Sequence, residues 1–241
     1  MNLLIYKTKD ELLNAIAHYI IKIANKAIAE QGYFNFVLTG GNSPKELYHL
    51  LATRYKEEID WTKVYFFFGD ERNVLPDHES YNGLMAKETM LAPLNIPENQ
   101  IFYVDTNLAP EKAAIEYFKA INKHFNGADL NFDLILLGMG DDAHTASLFP
   151  ETDILRNREA TIDSVYVDKL STHRISFTAP LINKAKNIAF LVFGEGKAKA
   201  VKAVLESETK NPSLYPTQLI DPIDGYVTWF IDEQAAALLD N

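Results

Sequence analysis

Four short apolar runs in this chain each end on glycine and then turn polar. They are Phe34–Thr39 before Gly40-Gly41, Val64–Phe68 before Gly69, Leu134–Leu137 before Gly138, and Asn187–Phe193 before Gly194. Such runs, rich in Phe, Val, Ile and Leu, have the length of buried strands rather than of helices. Between them lie stretches with helical spacing. Alternation of buried strand and amphipathic helix implies a layered α/β fold with a mostly parallel sheet. In such a sheet the carboxyl ends of the strands share one edge, so residues far apart in sequence meet there.

Residues 2–6 form the first expected strand. Thr8 and Glu11 make a T-x-x-E capping signature for a helix with Leu12, Leu13, Ile16, Ile20, Ile23, Ala24 and Ala27 on one face. After Gly40-Gly41, Ser43 suits an N-cap, Pro44 the first helical position and Glu46 the third. The pattern then predicts a helix over about 81–91, a strand over 101–104 and a helix over 110–124. Beyond Pro150 it predicts strands over 160–167 and 174–178, a helix over 198–206, a strand over 227–231 and a terminal helix over 233–239. No repeat, low-complexity stretch or linker interrupts the series, so residues 1–241 read as one domain.

The chain carries 33 acidic and 23 basic residues, a net charge of -10. That balance argues against nucleic acid or an anionic membrane as the main partner, and an anionic ligand would need a few placed cations. No apolar run approaches the roughly 18 residues of a membrane span. The opening MNLLIYKTKDE meets charge too early for a secretory signal. There are no cysteines, which excludes disulfides, a thiol nucleophile and thiolate metal sites, and is compatible with a cytoplasmic location.

The chemistry-bearing residues follow the glycine ends. Gly40-Gly41-Asn42-Ser43 opens a helix, and its free backbone N–H groups suit a phosphate cradle or, more plainly, a tight turn with a capped helix. Lys197 lies in a helix first turn, where a cation is disfavoured by about 0.3–1 kcal/mol unless an anion binds there. Otherwise it is a solvated surface lysine, and Arg174, which opens a strand, has the same plain alternative. Asp70, Glu71 and Arg72 make either a turn with an internal ion pair or a set in which Arg72 faces a substrate and Asp70 orients a neighbouring group. In DLILLGMGDDAHTASLFP (133–150), His144 is the best candidate for a base near neutral pH, with Asp142 close enough to set its tautomer. His144 has no metal-binding partner at helical spacing, and Ser147 is not in a nucleophile elbow.

Five ordered motifs now coincide: TGGNSPKELY (39–48), GDERNVLPDHESYN (69–82), LGMGDDAHTASLFP (137–150), THRISFT (172–178) and GEGKAKAV (194–201). Together they resemble the 6-phosphogluconolactonase family, nearly end to end. The resemblance implies a Rossmann-like α/β fold shared with glucosamine-6-phosphate deaminase and ribose-5-phosphate isomerase. It implies hydrolysis of 6-phospho-D-glucono-1,5-lactone in the pentose phosphate pathway, a small sugar-phosphate substrate and no cofactor. By similarity His144 is the general base and Asp70 supports the site. Arg72 binds the lactone or stabilises developing charge. Arg174 and Lys197, with Gly41, Asn42 and Ser43, hold the 6-phosphate. One departure is Ala143, where the family usually has glycine. If the loop needs a positive φ there, alanine costs about 1 kcal/mol or more. The deaminases place a glutamate five positions after the histidine; here that residue is Phe149.

Overall fold

The computed structural model describes residues 1–240. Its centre is an all-parallel six-stranded sheet in the order β1-β9-β8-β5-β2-β3. The strands are β1 (Asn2–Tyr6), β2 (Phe34–Leu38), β3 (Val64–Phe68), β5 (Leu134–Leu137), β8 (Asn187–Val192) and β9 (Tyr226–Asp232). A three-stranded antiparallel sheet, β4-β7-β6, is built from β4 (Asp70–Arg72), β6 (Ile162–Val167) and β7 (Thr172–Phe177). Among the described residues six α-helices accompany them: α1 (Lys9–Gln31), α2 (Asn42–Thr53), α3 (Asn82–Ala86), α4 (Pro110–Phe125), α5 (Ala179–Ile182) and α6 (Ala198–Leu205).

Side-chain alternation along the strands assigns two cores to the two faces of the large sheet. Phe34, Phe36 and Leu38 of β2, with Leu134 and Leu136 of β5, pack against α1 and α2. Val37, Ile135 and Leu137 point the other way, toward Tyr117 and Ile121 of α4 and toward Ile175 and Phe177 of the small sheet. Gly69 joins the two sheets. Its N–H donates to Leu38 C=O at 3.0 Å, and its C=O accepts from Phe177 N–H at 2.9 Å.

The α1 N-terminus forms as its sequence predicts: Thr8 Oγ1 accepts from Glu11 N–H and the Glu11 carboxylate accepts from Thr8 N–H, both at 3.2 Å. Three other expectations are corrected and one is refined. Ser43 is not an N-cap; α2 begins two residues earlier, at Asn42, with Gly41 at φ 96° in the cap position and no side-chain cap. Glycine there permits a left-handed entry that serine would resist. The expected helix over about 81–91 is present over 82–91, as α3 continued by a π-helical turn over Lys87–Leu91. The 101–104 segment makes a single parallel bridge, Ile101 with Phe66. It then leaves the ladder, and Val104 C=O accepts from the Tyr81 hydroxyl at 2.8 Å. Residues 233–239 form successive turns rather than a helix. Asp232 Oδ1 accepts from both Ala235 N–H (2.8 Å) and Gly194 N–H (3.0 Å), which ties the tail to the end of β8. Among the described residues no helix is long and apolar enough to cross a membrane.

Candidate active site

A cleft of about 460 Å³ opens at the carboxyl ends of β2, β5 and β8, against the small sheet. It is lined by Gly41, Asn42, Ser43, Asp70, Arg72, His144, Arg174 and Lys197. Two tyrosine clamps fix the strand ends that frame it. The Tyr48 hydroxyl accepts from Thr39 N–H at 2.9 Å and donates to Thr39 C=O at 2.8 Å. Tyr117 does the same at Phe68, accepting at 2.7 Å and donating at 3.1 Å.

His144 sits on the loop after β5. Its Nδ1 lies 2.5 Å from Asp142 Oδ1, and its backbone N–H donates to the same oxygen at 3.3 Å. With Nδ1–H on the carboxylate, Nε2 is left as the free acceptor, the tautomer a general base requires. Burial pushes the Asp142 carboxyl up. The opposing pull of His144 and of Lys169, whose Nζ is 3.2 Å from Oδ2, is greater and holds it well below the usual carboxylate range. Phe149 stacks on the imidazole, with centroids 4.0 Å apart and planes at 21°. Asp142 itself stands behind His144 and lines a different cavity rather than the cleft.

The loop holds this pair by crowding. A Cβ on Gly140 would overlap the His144 ring and the Asp142 carboxylate. Ala143 has φ 60°, is fully buried, and gives its C=O to Thr217 N–H (3.1 Å) and Thr217 Oγ1 (2.7 Å). The strain anticipated at this position is therefore present in the native backbone.

The cations arrive from elsewhere. Arg72 of β4 and Arg174 of β7 are register partners. Arg72 Nη1 donates to Ser80 C=O at 2.7 Å, and the Nε atoms of both arginines are buried without a partner among the described residues. Burial lowers the Arg174 guanidinium from its ordinary value, Asp70 raises it and Arg72 lowers it further. Lys197 closes a short 3₁₀ turn after Gly194, which has φ 94°. Among the described residues none of these three cations is in an ion pair. The internal ion pair considered for residues 70–72 does not form.

The structure thus brings together eight of the nine residues singled out in the sequence and sets Asp142 directly behind them. Four further residues escaped that reading. Ser147 Oγ donates to Asp70 Oδ2 at 2.6 Å, which orients that buried carboxylate. Glu71 is fully buried and accepts from the N–H groups of Arg72 (2.8 Å), Asn82 (2.7 Å) and Gly83 (2.9 Å). Burial pushes its carboxyl up to about 8 against those three bonds. It anchors the segment that carries Arg72. Phe149 and Lys169 hold the histidine pair, and only Phe149 left a trace in the sequence, as an aromatic ring where an acid was the alternative.

Comparison with known proteins gives the family. The family described as glucosamine-6-phosphate isomerases/6-phosphogluconolactonase matches residues 7–229. A 6-phosphogluconolactonase of Nostoc sp. is 39% identical over 224 residues, covering 91% of this chain and 90% of that one. One of Synechocystis sp. is 41% identical over 214 residues, covering 87% and 86%. The crystal structure of the 6-phosphogluconolactonase from Thermotoga maritima superimposes with a TM-score of 0.82 at 27% identity, covering 96% of this chain and all of the other. From its motifs, its fold and these relatives, the chain belongs to the glucosamine-6-phosphate isomerase/6-phosphogluconolactonase family.

Proposed function

We propose that this chain hydrolyses 6-phospho-D-glucono-1,5-lactone to 6-phospho-D-gluconate in the oxidative pentose phosphate pathway, acting as a single cytoplasmic domain on a small-molecule substrate. The observation that carries the reading is the meeting, on one cleft, of His144, backed by Asp142, with a glycine turn and three cations that form no ion pair among the described residues. Arg174, Lys197 and the Gly41-Asn42-Ser43 turn hold the phosphate and so place the ring. His144 Nε2 takes a proton from water as it attacks C1. Arg72 and backbone N–H groups stabilise the oxyanion of the tetrahedral intermediate. The intermediate collapses, the C1–ring oxygen bond breaks, and the imidazolium returns its proton to the departing oxygen. Asp142 stabilises the imidazolium between these two transfers.

The family also holds isomerases that release ammonia from an amino sugar. Phe149, stacked on His144, occupies the position where those enzymes carry an acid, and it can neither take nor give a proton. This favours the lactonase.

The test is a panel of acid release from the lactone, ammonia release from glucosamine 6-phosphate, and phosphate-ester binding. Turnover of the lactone alone is expected. General acid–base catalysis contributes about 10²–10⁴ in rate, so His144→Ala should lose about that factor in kcat with KM little changed. A variant that keeps most of its turnover removes His144 from the role.

A further inference from the structure

The Asp142 carboxylate has two oxygens, and the structure uses them differently. Oδ1 accepts from His144 twice, and Oδ2 receives only Lys169 Nζ, at 3.2 Å. Lys169 lies in the short turn Asp168–Leu170 between β6 and β7, closed by Ser171 at φ 49°. Its neighbour Leu170 lines the active-site cleft, while Lys169 itself lines the separate cavity of about 550 Å³ behind the histidine. One tight turn of the small sheet thus reaches both sides of the wall formed by Asp142 and Phe149.

We infer that Lys169 is a positioning residue: by holding Oδ2 it stops the Asp142 carboxylate from rotating, so that Oδ1 stays on His144 Nδ1 and Nε2 stays aimed at the substrate. The inference rests on His144 being the base. Asp142 is only about a quarter exposed, so few waters replace a lost partner, whereas the lysine stem is largely in solvent and its removal leaves no cavity. The lysine also acts through charge. A cation on the far side of the carboxylate weakens the carboxylate's hold on an imidazolium. The other ionisable groups around the pair are Asp141, Glu151, Asp168, Lys199 and Tyr215 on the Asp142 side, and Asp70, Arg72, Arg174 and Lys197 on the imidazole side. Among the described residues, none of them forms a hydrogen bond or ion pair with either member.

The experiment compares kcat, KM and the pH profile of kcat/KM for the parent, Lys169→Met, Lys169→Arg and His144→Ala, with thermal melts of each. Lys169→Met should melt like the parent and lose about two- to fivefold in kcat, the range open to an exposed ion pair, with KM unchanged. Its acid limb should move to higher pH by roughly half a unit, as expected when one charge a few ångströms beyond the carboxylate is removed. Lys169→Arg should restore both. If Lys169→Met matches the parent in kcat and in profile while His144→Ala is inactive, the positioning role is overturned and the catalytic reading stands. Turnover retained in His144→Ala overturns both.

Discussion

Arg72 and Arg174 face each other as direct partners across the β4–β7 pair, each with a buried Nε that bonds to nothing among the described residues. Like charges directly opposite on a sheet repel. An anion beside Arg174 relieves the repulsion and supplies the acceptor its Nε lacks. Inorganic phosphate should therefore stabilise the free protein, by about 1.4 kcal/mol at ten times its Kd. For a chain of this size that is a rise in Tm of about 3–6 °C. Arg174→Ala should lose most of the rise in a thermal-shift titration. A phosphate response unchanged by the substitution would place the anion elsewhere.

Gly140 is required by the histidine pair rather than by its own backbone, since a Cβ there would strike the imidazole and the carboxylate. Displacement of a catalytic group by about 1 Å can cost about 10²-fold in rate. Gly140→Ala is expected to reduce kcat by about that factor while circular dichroism stays native. Full activity in this variant would show that the loop relaxes without moving His144.

At Ala143 three terms compete. Relief of the left-handed backbone is worth about 1–2 kcal/mol. The added freedom of an unfolded glycine costs about 0.4–1 kcal/mol, and loss of a buried methyl costs about 0.8 kcal/mol. Ala143→Gly should therefore change stability by less than about 1 kcal/mol in either direction. Ala143→Val adds bulk and a β-branch at a buried positive φ, and overpacking with strain should destabilise it by at least about 2 kcal/mol. Urea unfolding of the two variants measures both.

His124 packs among Tyr65, Phe67, Phe102 and Phe125, with Nε2 at 2.9 Å from Asn35 Oδ1. Burial lowers its pKa from the ordinary imidazole value. Below about pH 6.5 the unfolded chain therefore binds the proton more readily than the folded one. Stability should fall as pH drops through that value, and level off below the folded pKa. His124→Gln should flatten this limb in denaturant melts taken from pH 7 to pH 5. A parent whose stability is flat across that range would show that the buried ring is protonated at no cost.

The parallel sheet was legible because its inner strands, β2 and β5 above all, are buried on both faces. Leu134-Ile135-Leu136-Leu137 has no polar residue to blur the pattern, and it forms β5. The 101–104 segment is as apolar but sits at the edge, where one bridge sufficed and Tyr81 took the next carbonyl. Candidate site residues were legible where they followed a glycine end. Glu71 was not, because its partners lie at 72, 82 and 83, and nothing in a run of charges says which one is buried. Nor could the pairing of Arg72 with Arg174 be seen, because it depends on the register of an antiparallel sheet that the strand–helix alternation does not announce. Lys169 lay outside every motif.

Gly69, bonded to both sheets, is where the molecule divides its labour. The imidazole rides on the loop that leaves the large sheet and the arginine pair on the small one, so their spacing depends on the oily filling between layers as well as on that loop. Phe177 and Ile175 belong to that filling and do not line the cleft. On the roles proposed above, trimming or enlarging them would change the reach from the arginines to His144, and with it the size of phosphorylated ring that fits. Substrate choice in this architecture is thus open to evolution through residues that never meet the substrate.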